Sequence, residues 1–192
     1  MANGQIVLSL PPNFDIKTTN YQIIMSEIKM TPDVLFEVSW EVCNKVGGIH
    51  TVLATKALTV TKQLNDRYIT IGPDFSQDRE VSEFVEDPML MKSWRQSLYN
   101  DGIRVRIGRW NVCGNPIAIL IDFTTLFANK DEVLKELWED YKVDSISGQW
   151  DYVEPVLFGY LAGKVIESYV DAFCATTEKA VAHFHEWMTC SG

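Results

Sequence analysis

Five short apolar runs, separated by amphipathic stretches of helical length, constrain this chain more than any other feature. The runs are Val34–Val38, 67–71, 103–107, Ile117–Ile121 and Ala180–Phe184. Each is rich in β-branched residues and bounded by Gly, Pro, Asn or Asp, as strands are. The stretches 49–58, 90–100, 131–142 and 152–169 read as helices. In 131–142, Val133, Leu134, Leu137, Trp138 and Tyr141 share one face, with acids in the first turn and Lys142 in the last. In 152–169, Val153, Leu157, Leu161, Val165 and Tyr169 recur every four residues. Strands alternating with helices predict an α/β fold, with a doubly wound, mostly parallel sheet covered on both faces and right-handed crossovers.

Residues 1–32 lack this alternation. They hold Pro11, Pro12, Thr18, Thr19 and Asn20 with little periodicity, and read as a loosely ordered extension ahead of a domain at 33–192. Met25 and Met30 would each serve as a later start. The acidic balance, a net charge of −9 in 192 residues, argues against a nucleic-acid groove or an anionic membrane patch, both of which need clustered Lys and Arg. No apolar run reaches bilayer length, and the N-terminus is a poor signal peptide, so a cytoplasmic protein is expected. Cys43, Cys113, Cys174 and Cys190 form no paired spacing and are expected to be free, buried thiols.

In a doubly wound sheet, ligands bind beyond the carboxyl ends of the strands. That rule selects the loop Lys45, Val46, Gly47 and Gly48 after the first run, with Gly72 and Asp74, Arg109 and Trp110, Asp122, and His185, Glu186 and Trp187 after the later ones. A glycine loop at a helix start presents unpaired N–H groups and a partial positive charge to phosphate, although glycines also fill plain tight turns. His183 and His185 fall on one face of a strand. With His50 the single further histidine and no Cys or Asp at ligand spacing, no metal centre is expected. Glu186 could orient a sugar hydroxyl or cap the next helix. Arg104 and Arg106 read as a solvated edge face. Trp150, in the loop 144–151, could stack on a sugar ring or pack against the next helix.

Five ordered blocks carry a resemblance. They run from Leu35 to Ala57, from Tyr68 to Pro73, from Gly108 to Trp110 with Pro116 to Asp122 after it, from Val156 to Tyr160 and from Val181 to Trp187. Together they resemble the opening of the UDP-glucose-using glycogen synthase family, the animal and fungal type also found in some bacteria. The resemblance implies the N-terminal part of a two-domain (GT-B) retaining glycosyltransferase with Rossmann-like halves. Such an enzyme moves glucose from UDP-glucose to the 4-hydroxyl at the non-reducing end of an α-1,4-glucan. It uses no cofactor and no metal, because basic side chains and helix N-termini stabilise the leaving diphosphate.

By this resemblance Lys45, Gly47 and Gly48 meet the donor's phosphates and glucose. His185 and Glu186 are the catalytic candidates, and His183, Trp187 and Arg109 line the cleft. Family members are longer and form homo-oligomers. Their Glu-x₇-Glu motif and uridine pocket lie beyond the stretch that matches here, so the chain is expected to be a fragment, inactive alone, with an unpaired sheet edge. Two alternatives stay open: a glucan-binding module without turnover, and a related transferase with another sugar-nucleotide donor. The sequence leaves the use of a glycogenin-type primer undecided.

Overall fold

The computed structural model describes residues 31–75 and 82–192. Contacts divide the chain into units Met1–Thr31 and Pro32–Gly192, and the account below concerns the second. The extension expected at residues 1–32 lies almost wholly outside the described residues.

The elements are β1 (Val34–Val38), α1 (Gly48–Leu64), β2 (Tyr68–Pro73), β3 (Phe84–Glu86), α2 (Lys92–Asn100), β4 (Val105–Trp110), β5 (Ile117–Ile121), α3 (Lys130–Tyr141), α4 (Trp150–Phe173) and β6 (Ala180–Phe184). Short 3₁₀ turns precede β2, follow β5 and follow β6. The sheet order is β3-β4-β5-β2-β1-β6. The strands β5, β2, β1 and β6 are mutually parallel, whereas β4 runs antiparallel to both β3 and β5.

The alternation of side chains across the pleat assigns the layers. Phe36, Val38, Ile69, Ile71, Ile117, Ile119 and Ile121 face one side, where Phe158, Leu161 and Val165 of α4 and Trp94 and Leu98 of α2 cover them. Ala118 and Leu120 face the other side and pack with Trp110 and with Leu53 of α1. Fully burying side chains of this size stabilises by about 1.5–3 kcal/mol each, so the two-sided sheet is the main source of fold stability. A third cluster joins α3 to α4 through Leu134, Leu137, Val153 and Leu157, the residues read as helix faces from their spacing.

The chain leaves β1 through α1 to reach β2 on one side, and returns through α4 to β6 on the other. Gly72 is needed for this end of the sheet to close. A Cβ there would meet the Val42 carbonyl oxygen at 2.7 Å, so glycine lets the loop after β1 lie across the end of β2.

Three expectations change here. The strand expected at 103–107 runs Val105–Trp110, so Arg109 and Trp110 lie within a strand, not after one. Because β4 is antiparallel, Arg109 sits opposite Ile117, at the start of β5. Arg106 is not on an edge strand, since β3 covers β4. It pairs with Glu86 at 2.9 Å and Asp74 at 3.4 Å, with its guanidinium 5.0 Å from the Phe84 ring centroid. Of the thiols, Cys43 is buried, but Cys113 in the β4–β5 turn and Cys190 near the chain end are exposed.

Candidate functional site

The parallel strands end together, and the chain is stitched across their carboxyl ends by backbone bonds. Ser39 N–H donates to Ile71 O, Asp74 N–H to Ile121 O, and His185 N–H to Val38 O, at 2.8–3.0 Å. These bonds bring the loop before α1 and the segment after β6 to the same end of the sheet.

At the start of α1, Lys45, Val46, Gly47 and Gly48 are all exposed. The loop is held from beneath by Glu41, which is buried in the bend after β1. One Glu41 carboxylate oxygen, Oε2, accepts Gly47 N–H at 2.8 Å and His50 N–H at 3.0 Å. The anion-seeking end of α1 therefore already holds an internal carboxylate, and Gly47 N–H is committed to it. Contact with an incoming anion falls to Lys45 and Gly48. Gly48 has open space where a Cβ would stand, and its φ is not positive. Neither packing nor backbone conformation requires glycine at 48, whereas a ligand lying against the backbone would.

His50 anchors the helix start on its far side. Its Nε2 lies 2.6 Å from Glu83, which also accepts from Trp110 Nε1 at 3.1 Å. Burial alone would raise the Glu83 carboxyl. The bonds from His50 and Trp110, with the positive charge of Lys45, outweigh it and hold Glu83 below the usual carboxylate range.

The second half of the site centres on Glu37. It lies one residue from the carboxyl end of β1 on the α1 side of the sheet, with only 3% of its side chain exposed. Lys56 of α1 contacts its Oε1 at 2.6 Å, His185 bonds its Oε2, and His183 Nδ1 lies 3.6 Å from that same oxygen. Burial would raise the Glu37 carboxyl, but the bonds from His185 and Lys56 more than offset it and hold the group ionised. The two imidazoles lie side by side, with ring centroids 4.0 Å apart. Desolvation, and then the neighbouring His185, favour a neutral His183.

Glu186 has φ 64° and ψ 179°, a backbone conformation that side-chain-bearing residues rarely adopt and that collects at functional sites. Its side chain makes no cap bond to the turn that follows. The capping alternative is thereby set aside for the side chain, while its carbonyl accepts from Thr189 Oγ1 at 3.1 Å. Trp187 is exposed and borders a cavity of about 550 Å³ between α3, α4 and the last residues, lined also by Tyr141, Tyr152 and Tyr160.

The structure thus gathers Lys45, Gly47, Gly48, His183, His185 and Glu186 at one end of the sheet. It separates Arg109, which makes two bonds to Asp66 at 2.6 and 2.9 Å at the opposite end and is corrected as a cleft-lining residue. Trp150 packs its ring 5.1 Å from Phe127 and remains half exposed. Glu37, Glu41 and Lys56 were missed as site residues. The signal was present: an acid inside the apolar run Val34–Val38 must find a partner when buried.

A mostly parallel sheet with helices on both faces, and a glycine loop and a histidine cluster at its carboxyl end, defines a Rossmann-like domain. The family model described as Glycogen synthase matches residues 37–192. The chain is 36% identical over 158 residues to glycogen [starch] synthase of Neurospora crassa, covering 81% of this chain and 22% of the relative. It is 32% identical to the Caenorhabditis elegans protein of that name, covering 82% and 24%. It is 31% identical to the human liver protein of that name, covering 88% and 24%. The chain belongs to the glycogen synthase family, and it spans about a quarter or less of the length of the curated relatives it matches.

Proposed function

We propose that this chain forms the N-terminal, Rossmann-like part of a glycogen synthase, which transfers glucose from UDP-glucose to the non-reducing 4-hydroxyl of an α-1,4-glucan with retention. The observation that carries the reading is Gly48, a glycine the fold does not require, set beside Lys45 at the exposed start of α1. In this reading the Lys45 ammonium and the N-terminus of α1 stabilise charge that develops on the leaving diphosphate, and no metal is needed. Glu41 holds the loop in place, so its donors are already oriented when the sugar nucleotide arrives. Glu37 orients the His185 ring towards the transferred glucose, and strained Glu186 directs the following turn into the cleft. His183 and Trp187 line the approach of the acceptor.

The membrane plays no part in this reading. Among the described residues no helix is long and apolar enough to cross one, and the substrates are those of the cytoplasm. The complete enzyme is proposed to work as a homo-oligomer.

The test is a chimera in which residues 37–192 replace the matching segment of the Neurospora crassa synthase. Incorporation of labelled glucose from UDP-glucose into glycogen is then measured. The chimera is expected to transfer glucose, Lys45→Ala and His185→Ala to lose transfer, and the 192-residue chain alone to show none. A folded chimera without transfer would overturn the assignment. Binding of maltooligosaccharide by a chain that supports no transfer in any context would favour a glucan-binding module instead.

A further inference from the structure

His183 of β6, His185 just after it and Glu37 of β1 form a cluster whose chemistry extends beyond orienting a sugar. We infer that Glu37, His183 and His185 bind a divalent transition-metal ion such as Zn²⁺. Their three ligand atoms, one carboxylate oxygen and two ring nitrogens, lie within 4.8 Å of one another. His183 Nδ1 is 3.6 Å from Glu37 Oε2. Tetrahedral zinc, with bonds of about 2.0–2.2 Å, needs its ligand atoms roughly 3.3 Å apart, so sub-ångström side-chain shifts complete the set.

Topology explains why the set exists. His183 in β6 and His185 just beyond it are two apart, and their rings lie on one face with centroids 4.0 Å apart. The parallel register places Glu37 directly opposite His183 on the neighbouring strand. The sequence alone offers no third ligand, because Glu37 is 146 residues from His183 along the chain. Glu37 and His183 sit on paired strands, and His185 is tied to the same sheet by its N–H bond to Val38 O at 2.9 Å, which holds ligands better than a free loop does.

The surroundings suit a metal as well. Lys56 contacts the other carboxylate oxygen, Oε1, leaving Oε2 for the ion. A ligating carboxylate bonded through its second oxygen has a fixed orientation. The positive charge of Lys56 weakens the site without blocking it. His183 is 57% exposed, so an ion can enter from solvent and keep one or two water ligands. Metal binding uses the Nε2 lone pair of His185, so the hydrogen bond between Nε2 and Glu37 Oε2 is replaced by two bonds to the ion and the proton of the neutral ring sits on Nδ1. Where transfer occurs, the ion would hold His185 away from the donor and inhibit.

The experiment titrates Zn²⁺ alone into the full chain against a chromophoric chelator. The background carries serine at Cys113, Cys174 and Cys190, to remove thiol ligands. One equivalent is expected to bind. His183→Ala, at an exposed position where folding is checked by circular dichroism, is expected to weaken binding by at least about tenfold, since losing even an outer partner costs that much. Co²⁺ substitution is expected to give a low-symmetry visible spectrum that His183→Ala and Glu37→Gln both abolish. Absence of Zn²⁺ binding in this triple-serine background, where only the buried Cys43 thiol remains, overturns the site. So does an affinity that survives His183→Ala or falls with His50→Gln instead.

Discussion

Replacing Glu41 by alanine tests whether the loop before α1 is ordered by an internal carboxylate. Glu41 is 6% exposed and accepts two backbone N–H groups, from Gly47 at 2.8 Å and His50 at 3.0 Å. A bond to a charged acceptor contributes about 1.5–3 kcal/mol, and a buried donor left unpaired costs about 1–3 kcal/mol. Gly47 is exposed, so water replaces its lost partner, whereas His50 is buried and its N–H is left without one. Removing a buried carboxylate also relieves its own desolvation, which offsets part of the loss. The net expectation is a loss of about 2–3 kcal/mol, equivalent to a fall in Tm of roughly 4–12 °C for a unit of this size. Glu41→Gln keeps an uncharged acceptor and should lose about 1 kcal/mol. Urea unfolding followed by tryptophan fluorescence measures both, with an unchanged m-value required for the comparison. If Glu41→Ala stays within about 0.5 kcal/mol of the parent, as ordinary surface changes do, the carboxylate does not order the loop and the reasoning fails.

Acid should weaken the fold through Glu37. Its carboxyl is held below its ordinary value of 4.5 in the folded state, so its contribution is present above that pH and is lost as pH falls through the lower folded value; Glu37→Gln should flatten the acid limb of a stability-versus-pH curve, and an unchanged limb would refute its role. Two glycine-to-alanine changes should part company. Gly72→Ala drives a Cβ to 2.7 Å from the Val42 carbonyl and should cost about 1–3 kcal/mol, whereas Gly48→Ala meets open space, should leave urea stability unchanged or slightly higher, and should abolish glucose transfer in the chimera. The outer edge of β6 exposes Ala180, Val181 and Ala182 and carries no lysine or proline to blunt it. Val181→Lys should therefore lower self-association measured by sedimentation, and an equal sedimentation profile for both proteins would show that this edge is not adhesive.

The sequence by itself determined the architecture, because hydrophobic period is a local property. Val34–Val38, Ile117–Ile121 and Ala180–Phe184 were legible to the residue, and α3 was legible from its acids, its apolar face and Lys142. The placement of the glycine loop and the histidine segment at one end of the sheet was legible because each follows a parallel strand. Strand direction is not local, and the Arg109 expectation failed on it. A run of alternating residues reads the same in either direction, so only pairing with β5 shows that β4 points Arg109 to the far end of the sheet. The three-residue β3 was too short to give a period at all. Charge partners are not local either. Glu37 looks like an anomaly in an apolar strand until register sets it against His183 and packing of α1 brings Lys56 to it. Likewise, only the folded bend after β1 shows that Glu41 takes the Gly47 N–H that the sequence had offered to phosphate. The chain's periodicity selected the sheet and the end of it where the glycine loop and the histidine segment meet. The tertiary structure decided which groups meet there, because buried charges are satisfied by neighbours in space and not by neighbours in sequence.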